Sequence, residues 1–144
     1  MIEKWPVTIP ALTGRRYRRS VYVHLPPQAE DPEARFPVLY MFDGHNVFYD
    51  EDATYGTCWG LDDFMASWEK PMILVGIECG HEGDERLSEY LPYPAERTWL
   101  RGARPLGDRT MQGILFEVKP YIDRVTVKCP QCGGNMKRES VVMD

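Results

Sequence analysis

Three short apolar runs punctuate the first half of the chain, and each stops at a turn residue. Arg18 to Leu25, R-R-S-V-Y-V-H-L, is rich in β-branched and aromatic residues and closes at Pro26-Pro27, which predicts a strand. Alternation places Val21, Val23 and Leu25 on one face of it and Tyr22 and His24 on the other. Pro37 to Phe42 has the length of a buried strand and ends at Asp43-Gly44. Met72 to Ile77 is nearly all apolar and suits a strand covered on both faces. Between the last two, Leu61, Phe64, Met65 and Trp68 fall at i, i+3, i+4 and i+7, an amphipathic helix stopped by Pro71. Cys79 to Pro105 shows neither period and reads as a long irregular connection. From Gly107 to Asp123, Met111, Leu115, Val118 and Ile122 form a helical stripe, widened by Ile114 and Tyr121, in which Pro120 is expected to kink or end the helix. Strand, strand, helix, strand, helix is an α/β pattern, the first half of a doubly wound sheet.

The chain of 144 residues is 43% hydrophobic and 27% charged, a globular mix able to bury a core. A net charge of −5 gives no electrostatic case for nucleic acid. The basic cluster Arg15-Arg16-Tyr17-Arg18-Arg19 reads as a solvated edge or turn. No run approaches the ~18 apolar residues of a membrane span, and M-I-E-K-W-P carries no export signal, so a cytoplasmic protein with no membrane partner is expected.

The segment F-P-V-L-Y-M-F-D-G-H-N-V-F, Phe36 to Phe48, carries the chemistry most open to reading. A buried strand feeding a glycine turn is how α/β-hydrolases expose a backbone N–H for half of an oxyanion hole. This stretch resembles the D-G-x loop of the esterase family that groups enterochelin-esterase-like, esterase-D-like and mycolyltransferase-like α/β-hydrolases. The resemblance extends over roughly residues 15 to 123. It takes in R-R-S-V-Y-V-H-L-P-P, T-C-W-G-L-D, I-L-V-G-I-E, R-L-S-E-Y and V-K-P-Y-I-D, in that order. It implies an N-terminal, incomplete half of an α/β-hydrolase sheet over residues 1–124. It also implies a serine carboxylic-ester hydrolase as the complete protein, a small-molecule ester as substrate and no cofactor. The oxyanion donor it implies is the backbone N–H of His45, presented by Gly44. Asp43 is expected to cap the turn with its own side chain. His45, His24 and His81 read as structural or solvated histidines, since all precede the family's base position.

The nucleophile is missing from these residues. No G-x-S-x-G occurs, and Ser20, Ser67, Ser88 and Ser140 all lack flanking glycines. The chain is therefore expected to stop short of the nucleophile, to be inactive alone, and to self-associate through an uncovered core. Residues 125–144 read as an unrelated or altered tail, opening on a strand-like Val125 to Lys128 and continuing C-P-Q-C-G-G. Cys129 and Cys132 resemble one knuckle of a zinc ribbon, but a structural site takes four ligands and no second C-x-x-C is present. The rival reading is a non-catalytic binding protein whose tail uses zinc or thiol chemistry at that pair. A thiol-dependent enzyme using Cys129 or Cys132 is a third. Cys58 and Cys79 complete the four cysteines and read as thiols or ligands, not disulfides.

Overall fold

The computed structural model describes residues 1–9, 12, 18–31, 33–96, 100 and 102–126. Four strands, β1 (Ile2–Thr8), β2 (Arg18–His24), β3 (Val38–Met41) and β4 (Ile73–Ile77), form one sheet in the order β1-β2-β4-β3. β2 pairs antiparallel with β4, and β3 pairs parallel with it. The α/β expectation holds as a mixed sheet with a few helices. Among the described residues no helix is long and apolar enough to cross a membrane.

The chain divides into two compact units, Met1–Pro6 with Ser20–Glu78, and Val7–Arg19 with Cys79–Asp144. In the first, register fixes the faces of the sheet. Tyr22 lies opposite Gly76, and His24 and Leu39 both flank Leu74. Helix α1 (Leu61–Ser67) covers this face, with Met65 joining Tyr22, Val47, Phe48 and Leu74 in one core and Leu61 and Met41 packed beside it. Both faces of β2 are buried, Val21 and Val23 as fully as Tyr22. The stripe expected on α1 is only partly buried, because Phe64 and Trp68 are exposed and stack on one another at 5.2 Å.

The second unit departs from expectation in three ways. The stretch after Cys79 is not irregular throughout, for it holds helix α2 (Glu85–Tyr90). Its buried positions are the polar Ser88 and Glu89, which is why no apolar period announced it. Glu89 takes both guanidinium nitrogens of Arg19, Nη1 at 2.8 Å, and accepts the Gly80 N–H at 3.2 Å. Arg19 is thus a buried ion-pair partner rather than part of a solvated basic edge. Ser88 accepts the Arg104 N–H on Oγ at 2.9 Å and the Leu106 N–H on its carbonyl at 3.0 Å, fixing the connection to the next helix.

That helix runs on past Pro120. α3 (Gly107–Gly113) passes through a π turn (Ile114–Val118) into α4 (Lys119–Thr126), so Val125 and Thr126 are helical and do not begin a strand. Lys119 donates to the Ile114 carbonyl five residues back. The widened turn relieves the crowding a proline ring imposes on the carbonyl four residues earlier. The extra residue rotates the face by roughly 100°. Thr110, Gly113 and Ile114 are therefore buried with Val118, Tyr121 and Ile122, while Met111 and Leu115 turn outward.

Candidate functional site

The site predicted at Gly44 and His45 lies wholly within the first unit. β3 delivers the chain into Asp43, whose φ of 53° makes it the non-glycine residue with positive φ among those described. Aspartate tolerates this left-handed conformation better than most residues, though at some cost. Its side chain makes no capping hydrogen bond, contrary to expectation, and the turn depends instead on this backbone conformation. A single 3-10 turn, Gly44–Asn46, follows, closed by Asn46 N–H to the Asp43 carbonyl (2.8 Å) and Val47 N–H to the Gly44 carbonyl (3.2 Å). The amides of Gly44 and His45 stand at the head of the turn.

Gly44 is required by what lies beneath it. A Cβ there would stand 2.3 Å from the carbonyl carbon of Gly76 on β4, and a Cβ on Gly76 would stand 2.9 Å from the Gly44 Cα. The turn is therefore seated backbone to backbone on the central strand. Gly76 is the residue the sequence reading missed, and a glycine inside an otherwise apolar strand run was the available signal.

The His45 side chain is buried, with Nε2 3.1 Å from Thr54 Oγ1. The imidazole anchors the turn to the following loop, as Asn46 does by accepting Thr54 N–H on Oδ1 (2.9 Å) and Trp59 N–H on its carbonyl (2.8 Å). Leu61 N–H to the Val47 carbonyl and Cys58 N–H to Asp50 Oδ1 complete the tie. The Cys58 amide holds the Asp50 carboxyl below its usual range. Further along, Asp52 accepts from the Tyr22 hydroxyl (2.9 Å) and from Lys4 Nζ (2.8 Å), joining the loop to β2 and β1. Burial and that bond push the Tyr22 phenol up to about 12. Burial opposes ionisation of Asp52, yet the two donors outweigh it and its pKa is lowered.

His24 is not the satisfied structural histidine expected. It stacks on Phe48 at 6.1 Å with Nε2 3.5 Å from Asp62, but its buried Nδ1 has no hydrogen-bond partner. Burial, then the nearby N-terminal amine, lowers its pKa against the pull of Asp62. His81 is exposed, as expected. Ser20 lies within β2, Ser67 ends α1 and donates to the Phe64 carbonyl, and Ser88 is buried in α2. Among the described residues, then, no serine occupies a strand-to-helix turn. Ser140 and the cysteine pair Cys129 and Cys132 lie outside the described residues, whereas Cys58 and Cys79 are thiols.

No family model matches the chain. A stretch of 26 residues is 62% identical to the isoleucine–tRNA ligase of Picrophilus torridus, covering 18% of this chain and 2% of that enzyme. Among solved structures, the chain is similar to an IroE-like serine hydrolase from Shewanella oneidensis, with a TM-score of 0.61, 21% identity and coverage of 85% of this chain and 38% of that one. It is also similar to the BES protein from Bacillus cereus, with a TM-score of 0.56, 21% identity and coverage of 85% and 45%. The chain thus spans less than half the length of either. At this identity the likeness concerns architecture alone: a mixed sheet with a few helices, shared with part of each of those structures.

Proposed function

We propose that this chain is the oxyanion-loop portion of a serine carboxylic-ester hydrolase and that these residues by themselves do not hydrolyse esters. The observation that carries the reading is the turn after β3. A left-handed Asp43 leads into Gly44, and Gly44 rests on the backbone of Gly76 at the head of a 3-10 turn. The likeness to a serine hydrolase supports the same reading. In the complete reaction a serine attacks the ester carbonyl, the loop amide at His45 stabilises the tetrahedral oxyanion, and water then releases the acyl group from the enzyme. A lone donor achieves little without a converging second donor and an attacking group. That is the basis for expecting no turnover here.

Two measurements test this. The chain is incubated with a fluorophosphonate probe and, separately, with p-nitrophenyl esters. No labelled serine and no hydrolysis above buffer are expected, and stoichiometric labelling of Ser20, Ser67, Ser88 or Ser140 would overturn the proposal. The coding DNA after codon 144 is then read in every frame. A G-x-S-x-G followed by an acidic residue and a histidine is expected there, and the extended polypeptide should take up the probe at that serine. Its absence would count against the hydrolase reading itself.

A further inference from the structure

One buried group of the first unit stands between the turn after β3 and the start of α1. His24 on β2 stacks its ring on Phe48, and its buried Nδ1 has no hydrogen-bond partner. Phe48 follows Val47, whose N–H closes the turn on the Gly44 carbonyl. On the other side, Asp62 lies 3.5 Å from His24 Nε2 and follows Leu61, whose N–H is held by the Val47 carbonyl. A movement of this imidazole therefore reaches the turn by two routes, through Phe48 and through Leu61.

We infer that His24 is a latch on this turn: the neutral ring holds Gly44–Asn46 closed, and its protonation loosens the oxyanion donor. The inference regulates the proposed site and rests on reading that turn as an oxyanion loop. An imidazolium carries two N–H donors and no acceptor. Nε2 can turn to the exposed Asp62, but Nδ1 has no acceptor in bonding geometry. From β1 the terminal ammonium, bonded to the neighbouring Leu25 carbonyl at 3.1 Å, repels the new charge. From β4 the residue in register is Leu74, which offers nothing to a cation. Swinging the ring toward Asp62 relieves both faults and removes it from Phe48. The other ionisable groups of the sheet and loop keep their charge as the medium turns mildly acidic. Burial pushes the Tyr22 and Tyr49 phenols up, the bond to Asp52 raises Lys4, and Asp52 is lowered despite its burial. His45, in the turn itself, is the other histidine of this unit.

The test is amide hydrogen exchange followed by NMR from about pH 5 to 7.5, with rates corrected for the free amide, beside a titration of the His24 ring. Protection of the Asn46 and Val47 amides is expected to fall by about threefold or more at the acid end, with the midpoint of the ring titration. The ceiling is roughly thirtyfold at about pH 5, because the opened form titrates near the ordinary histidine value of about 6.5. The Ser88 and Thr110 amides, bonded to Asp84 and Leu106 in the second unit, should keep their protection. His24→Phe should abolish the fall. Asp62→Asn, at an exposed position, should carry both midpoints to lower pH. A fall that persists in His24→Phe, which would point to His45, or an equal fall at every amide would overturn the inference. So would protection that does not change, or turn amides unprotected even at neutral pH. No readout needs turnover, so the latch and the hydrolase reading can each fail without the other.

Discussion

Replacing Gly44 by alanine places a methyl group 2.3 Å from the Gly76 carbonyl carbon and 2.5 Å from the Gly76 oxygen and the Ile77 nitrogen. All three are main-chain atoms of a central, fully buried strand, so no side chain can swing aside. Gly44 is not among the positive-φ glycines, so torsional strain adds nothing and the cost is steric alone. Overpacking costs about 1–3 kcal/mol, and a rigid neighbour puts this case at the upper end. The stiffer unfolded chain returns only about 0.4–1 kcal/mol. A net loss of roughly 2–3 kcal/mol is expected, a large share of the ~5–15 kcal/mol that holds a domain folded. Gly76→Ala meets the Gly44 Cα at 2.9 Å and should cost less, about 1–2 kcal/mol. The double variant should lose less than the sum, because both methyls contest one gap. Gly56→Ala separates sterics from strain: it has open space but a φ of +73°, and should cost about 1 kcal/mol. Urea unfolding read by tryptophan fluorescence gives the ranking, with midpoints falling at constant slope. A Gly44→Ala protein within about 0.5 kcal/mol of the parent would refute the packing argument.

Three further expectations follow from the buried polar groups. Burial holds the folded pKa of His24 below the ordinary histidine value of about 6.5, so the unfolded chain binds the extra proton first. Stability is then full above about pH 6.5 and falls as the pH drops through the window down to the folded pKa, and His24→Phe should flatten that slope in urea midpoints taken from about pH 5 to 7.5. Arg19→Met should destabilise by about 3–5 kcal/mol by stranding the Glu89 carboxylate, and Arg19→Met with Glu89→Leu should recover much of the loss in a double-mutant cycle by thermal unfolding. Tyr22→Phe removes a bond to a charged acceptor and should cost about 1–3 kcal/mol in urea, with Asp52→Asn costing less when added to it than when made alone.

The parts of the fold legible in the sequence were those where burial and apolarity coincide. β2, β3 and β4 are short apolar runs with clear stops, and the Asp43-Gly44 turn was legible because a turn must follow where such a run ends. β1 was not, since its inward positions include Glu3 and its run is broken by Pro6. α2 was hidden for the same reason in stronger form, because Ser88 and Glu89 are buried through hydrogen bonds rather than through apolar surface. The face of the last helix was misjudged because a helical wheel assumes constant winding, and the π turn breaks that assumption at Ile114. At the site, Gly44 could be named in advance but its seat could not. Gly76 lies 32 positions away, and a backbone approach between distant residues leaves no periodic trace. Thr54 escaped notice likewise, as its pairing with His45 is set by the path of the intervening loop.

The π turn also bears on how this chain would be compared with its relatives. It lets one helix carry a residue more than its winding needs, and the surplus falls among the exposed Leu115 and Phe116. A relative without a proline at the position of Pro120 has no carbonyl crowding to relieve and can dispense with that residue. Alignment of the two would open a one-residue gap in mid-helix, where gaps are ordinarily taken as errors. Both ends of the helix would nonetheless keep the same sides turned inward, so here sequence length and spatial register are separate quantities.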